Sequence, residues 1–144
     1  MVKTFYFDMD GTLADFYGVE NWLTYLERHQ TKPYREAKPL INMKKLARKI
    51  NKLQKQGYKF GIVSWLSKDN DPAYAQKVTE AKLKWLQKHC GSVTWDEIHI
   101  VPYGTPKSTV VLDPMGVLFD DEEQNIREWK GHAFYAQVFW HRWG

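Results

Sequence analysis

One cysteine, Cys90, stands in the 144 residues, so neither an internal disulfide framework nor a CxxC pair for redox chemistry or zinc is available. That usage fits a reducing compartment and a buried, idle thiol. No apolar run is long enough to span a bilayer, and the N-terminal one, about five residues, meets Asp8 and Asp10. An intracellular, cytoplasmic protein with no membrane partner is expected. GxxxxGK followed by Ser or Thr, GxGxxG and GxSxG are all missing, which sets aside the P-loop, the dinucleotide fingerprint and the nucleophile elbow. There is no internal repeat, low-complexity tract or interdomain linker. The charge excess is small: 21 Lys and Arg against 17 Asp and Glu give +4, which favours an anionic ligand such as a nucleotide or nucleic acid. Many of the cations fall in MKKLARKINKLQKQG, where Leu46, Ile50 and Leu53 form an apolar stripe and the lysines its solvated face.

What is present suffices for one domain with a core, since 43 % of the residues are apolar. Short apolar and β-branched runs occur at KTFYF, YKFGIVS, DEIHIV, GVLF and HAFYAQVF, each of strand length. Helical patterns separate most of them: 19–28, 40–56, a third with Asp71 as N-cap, Pro72 in the first turn and Gly91 past its end, and a fourth at 122–130. This alternation predicts an α/β fold, a three-layer Rossmann-like open parallel sheet with ligands at the carboxyl ends of its strands. Residues 17–42 are too long for an ordinary βα connection and are expected to form a small cap or lid on a single domain spanning 1–144.

The stretch FYFDMDGTLADF carries three carboxylates and a glycine directly after the first strand. A calcium loop fails on register, because placing Gly11 sixth puts Tyr6 first and Tyr17 twelfth, where carboxylates are needed. In an extended segment residues i and i+2 point the same way, so Asp8 and Asp10 can face one small volume. Two such carboxylates repel unless a cation intervenes or one takes a proton. A divalent metal can hold Asp8 ionised as a nucleophile while Asp10 serves as general acid and base.

At DMDGTL the sequence resembles the first motif of the haloacid dehalogenase superfamily of phosphohydrolases, DxDGT followed by Leu or Val. GIVS resembles the second motif at Ser64, TPKS offers the third-motif lysine at Lys107, and VLFDDEEQN resembles the acidic fourth motif at Asp120 and Asp121. All four stand in the family's order, over nearly the whole chain. The resemblance implies that Asp8 attacks phosphorus to give an aspartyl-phosphate, and that Asp10 protonates the leaving oxygen and then activates water. It also implies that the Asp10 main-chain carbonyl, Asp8, Asp120 and Asp121 hold Mg²⁺, and that Ser64 and Lys107 bind phosphoryl oxygens. Gly11 and Thr12 would let the chain turn and bring backbone N–H groups toward the phosphoryl site. A strand-end serine, a surface lysine and a helix N-cap are the plain alternatives for Ser64, Lys107 and Asp121, while Asn125 either bonds the acidic pair or lies on the surface. Asp15 is read as loop support.

DMDGTLADF is similar to the start of the 5'(3')-deoxyribonucleotidases, and the short cap segment resembles compact, nearly capless phosphatases. A small phosphorylated substrate, first of all a nucleotide, is therefore expected, with Phe16, Tyr17, Trp22, Tyr25 and Tyr34 either stacking a base or packing a core. The alternatives are a 3'-phosphatase on nucleic-acid ends, helped by a pI near 9.1, and a non-catalytic phosphate- or nucleic-acid-binding module. The tail VFWHRWG is expected to cover the sheet edge or meet a partner, and His141 has no metal-binding companion.

Overall fold

The computed structural model describes residues 3–69 and 71–144. Its strands are β1 (Thr4–Phe7), β2 (Lys59–Trp65), β3 (Glu97–Val101), β4 (Val117–Asp120) and β5 (His132–Tyr135). All pair in parallel, in the order β3-β2-β1-β4-β5. The helices are α1 (Trp22–Glu27), α2 (Lys32–Glu36), α3 (Met43–Lys55), α4 (Pro72–Cys90), α5 (Glu123–Glu128) and α6 (Ala136–Trp143), and single 3-10 turns occupy Phe16–Gly18 and Lys107–Thr109. The expected α/β parallel sheet is thus what the chain forms.

Side-chain alternation along β1 builds two cores. Phe7, with Phe60, Ile62 and Phe119, packs under Leu46 and Ile50 of α3, Trp85 and Leu86 of α4 and Phe139 of α6. Tyr6, Val63 and Leu118 point the other way, against Val111 and Trp129. A third cluster joins Phe16 and Tyr34 to Tyr74, Val78 and Ala81, which seats α1 and α2 on the N-terminal half of α4. The helix signals behave as their chemistry requires. Asp71 accepts from Ala73 N at 3.1 Å and Pro72 opens α4, while Asn42 caps α3 through Lys45 N at 3.1 Å. Cys90 is buried, which pushes its thiol up to about 11.

Four expectations change. The first helical pattern shortens to α1, and α2 is an element that its sequence did not announce. HAFYAQVF is strand only as far as Tyr135, because its partner β4 ends at Asp120, the register mate of Tyr135. The chain then becomes α6, so the tryptophan-rich tail lies on the face of the sheet rather than its edge, with Trp143 against Phe7 and Phe60 and the Trp140 indole donating to Thr12 O at 2.7 Å. Asp121 is not the N-cap of α5; Glu122 holds that position, and the Asp120 carboxylate accepts its N–H at 3.0 Å.

Candidate active site

β1 and β4 are neighbours although β2 and β3 lie between them in the chain, so the strand order reverses between them and their carboxyl ends open a crevice. Asp8 follows β1 directly and is tied to β4 by its N–H, which donates to Phe119 O at 3.0 Å. The chain then turns on Gly11, whose φ of +83° suits glycine and whose absent Cβ leaves room for Asp121 Oδ2, 2.1 Å from where that carbon would stand. The turn consumes its own donors. Gly11 N bonds Ala14 O at 2.8 Å and Thr12 N bonds Met9 O at 3.1 Å, so these two N–H groups do not face the phosphoryl site as expected. Thr12 contributes its hydroxyl instead, donating to Asp8 Oδ2 at 3.3 Å. Asp15 stands away from the acidic cluster, its carboxylate packed around Gly18.

Lys107 is buried within its 3-10 turn and donates to Asp8 Oδ1 at 3.0 Å and to Asp120 Oδ2 at 2.6 Å. Burial alone would lower its pKa, but the two carboxylates outweigh burial and hold it above the usual lysine range. Asp8, Asp120 and Asp121 each bring an oxygen within 4.8 Å of the others. Three clustered carboxylates, two of them on one lysine, leave negative charge in excess, and burial followed by repulsion from Asp8 pushes both Asp120 and Asp121 above the ordinary carboxylate range. Asn125 lies beside them, 3 % exposed, with its Oδ1 lacking a hydrogen-bond partner among the described residues, so neither of its two readings, a bond to the acidic pair or a surface position, is realised. Hard oxygen donors, surplus negative charge and an orphaned acceptor fit a Mg²⁺ ion with its water.

The Asp10 carboxylate is outside that cluster. Its Oδ2 accepts from Lys82 at 2.9 Å, and Lys82 also donates to Ser64 Oγ at 2.6 Å and to Trp65 O at 2.7 Å. Burial raises the pKa of Asp10 against the opposing pull of Lys82. Ser64 is fully buried with its hydroxyl on Lys82, and does not line the crevice. Lys82 is the residue that sequence reasoning missed. Its signal was position: four residues after Val78 and three before Trp85, it shares the buried face of α4, where a solvated lysine has no place.

A cavity of about 440 Å³ opens over Asp8, Asp10, Lys107 and Asp121. Phe16, Tyr17, Trp22 and Tyr34 line it as expected, Tyr25 does not, and Trp65 and Tyr103 add a second aromatic wall from the ends of β2 and β3. Tyr25 instead accepts from Lys32 Nζ at 3.2 Å. No helix among the described residues is long and apolar enough to cross a membrane.

Among solved structures, the chain is similar to the D,D-heptose 1,7-bisphosphate phosphatase from Burkholderia thailandensis, at 14 % identity and a TM-score of 0.51 over 87 % of this chain and 70 % of that one. An MCSG target from Vibrio cholerae matches over 69 % of each chain at 21 % identity, and its TM-score of 0.41 is too low to bear on the fold. No protein-family model and no curated protein matches the sequence. The likeness shows the fold, an open parallel α/β sheet of the kind that the DMDGT resemblance implies.

Proposed function

We propose that the protein is a Mg²⁺-dependent phosphomonoesterase acting through an aspartyl-phosphate on Asp8. The observation that carries this reading is the meeting, at one strand edge, of Asp8 with Lys107 at 3.0 Å and with the Asp120 and Asp121 carboxylates. Asp8, Asp120, Asp121 and the Asp10 main-chain carbonyl would hold the ion. When bound, Mg²⁺ offsets the charge of the acidic cluster and of the phosphoryl oxygens.

Lys107 orients Oδ1 of Asp8, the carboxylate that acts as the nucleophile, and its ammonium is placed to meet phosphoryl charge as it develops. Asp10, two residues on, supplies a proton to the departing oxygen and later takes one from water. The aromatic walls favour a leaving group with a flat apolar face, which makes a nucleotide the first candidate.

Asp8→Asn abolishes turnover of 4-nitrophenyl phosphate while the fold survives, and EDTA does the same to the wild type; wild-type hydrolysis by Asp8→Asn overturns the reading. A phosphate-release screen with Mg²⁺ over nucleotides, sugar phosphates and 3'-phosphorylated oligonucleotides then separates the substrates. Release from oligonucleotides alone assigns a 3'-phosphatase, and salt-sensitive DNA binding without release assigns a non-catalytic module.

A further inference from the structure

The geometry points to Lys82 of α4 as a positioning residue, one that fixes the Asp10 carboxyl for proton transfer to the leaving group. This rests on the phosphatase reading above. Lys82 is 1 % exposed, and its Nζ spends its three hydrogens on Asp10 Oδ2, Ser64 Oγ and Trp65 O. The ring of Tyr34, from α2, lies 5.3 Å from the ammonium and closes it off from the other side. An ammonium this buried is sustained only by bonds that use all its donors, so the group cannot turn without stranding a charge. The carboxylate it grips is therefore held as firmly as the end of β2 to which Ser64 and Trp65 belong.

The two buried lysines divide the carboxylates between them. Lys107 takes Asp8 and Asp120, and Lys82 takes Asp10. Asp10 is thereby kept from swinging toward Lys107, and its Oδ1, with no partner among the described residues, is the oxygen left to carry the proton. In the step concerned, the bond from Asp8 to phosphorus forms as the ester P–O bond breaks. The electron pair leaves on the substrate oxygen, and the Asp10 proton moves to that oxygen to give the alcohol.

Two substrates of similar shape test this. Benzyl phosphate releases a strongly basic alkoxide that needs the proton, whereas 4-nitrophenyl phosphate releases a stable phenolate that does not. Since kcat/KM covers only the steps through formation of the phosphoenzyme, Lys82→Met is expected to lower it about 100-fold for benzyl phosphate and less than about fivefold for 4-nitrophenyl phosphate. Asp10→Asn shows the same contrast, and the double variant loses nothing further on benzyl phosphate. A misfolded fraction cancels, because both substrates are read on one preparation. If Lys82→Met does not fold, Lys82→Arg, which keeps the charge and changes the reach, is read for the same contrast in the same direction. Equal loss on both substrates, or a further loss in the double variant, overturns the role of Lys82. If Asp8→Asn turns over both substrates like the wild type, the phosphatase reading itself fails. If Asp8→Asn is inactive and the contrast is missing, Lys82 alone is refuted.

Discussion

On one face of the sheet, α3, α4 and α6 lay Leu46, Ile50, Trp85 and Phe139 against the strand phenylalanines, with Phe7 centred 4.9 Å from Phe139 and 5.6 Å from Phe119. On the other face, the segment 102–116 crosses with a single 3-10 turn and is fastened by hydrogen bonds to side chains. Tyr6 OH accepts from Asp113 N at 3.0 Å and donates to Glu97 Oε2 at 2.7 Å; Glu97 Oε1 accepts from Leu112 N at 3.0 Å and meets His99 Nε2 at 2.8 Å. The Trp65 indole holds Thr105 O at 2.8 Å and the Trp129 indole holds Gly116 O at 2.9 Å. Helices satisfy their own backbone and need only apolar area beneath them, whereas an irregular segment must find partners for each buried N–H and C=O. Lys107 sits in the second kind of covering, so its aim at Asp8 depends on these polar bonds.

The largest effect is expected where apolar packing is densest. Phe7→Ala removes the ring shared by Phe60, Phe119 and Phe139 and should cost about 3–5 kcal/mol, read from the denaturant midpoint at constant slope. A loss under about 1 kcal/mol would show that α6 collapses into the space and that this face is not held by its aromatic stack.

Glu97→Gln breaks the other covering. Glutamine keeps one acceptor oxygen and loses the second, so one of the Tyr6, His99 and Leu112 contacts is stranded, at about 1–3 kcal/mol. Burial by itself raises the Glu97 pKa, but the bonds from Leu112 N, Tyr6 and His99 prevail and hold the carboxyl below its ordinary value. A carboxyl lowered in the folded state stabilises the protein above the unfolded pKa, about 4.3, and loses that contribution as pH falls through the folded value. The stability gap between wild type and Glu97→Gln should therefore be widest near neutrality and narrow below about pH 4, as urea unfolding at a series of pH values would show. A gap that stays constant to pH 2.5 would place the stabilisation elsewhere. Because Leu112 is five residues from Lys107, the variant should also lose turnover at pH 7, which Phe7→Ala at matched folded fraction should not.

The same contrast explains what was legible beforehand. The first four strand positions, the Asp71 and Pro72 start of α4 and the stripe on α3 are local signals, and each formed where its pattern lay. The two aspartates after β1 and the pair at the end of β4 were readable because strand ends carry a fixed direction. The fate of HAFYAQVF was not, since the length of β5 is set by β4 and not by its own residues. Lys82 was hidden by type: among the exposed Lys77, Lys84 and Lys88 on α4 it looks like one more surface charge, and only its phase relative to Val78 and Trp85 sets it apart. Ser64 was readable as a strand end, but its bond partner arrives from 18 residues away.

The smallest effect on stability is expected in a third region, the short helix above the crevice. α1 buries none of its residues fully, and Leu23 on the cavity wall is 55 % exposed. Neither covering of the sheet depends on it, so Leu23→Ala should stay within about 0.5 kcal/mol of wild type in unfolding. If the aromatic walls grip the leaving group, the same substitution removes apolar contact with an aryl or nucleoside phosphate worth about 1 kcal/mol, roughly fivefold in KM, at unchanged kcat. Glycerol 2-phosphate has no flat group to lose, and its KM should not move. Equal shifts for both substrates would mean that α1 acts by shielding the carboxylates from water rather than by touching the substrate. A core-sized loss of stability would mean that α1, like the segment carrying Lys107, is part of what holds the sheet together.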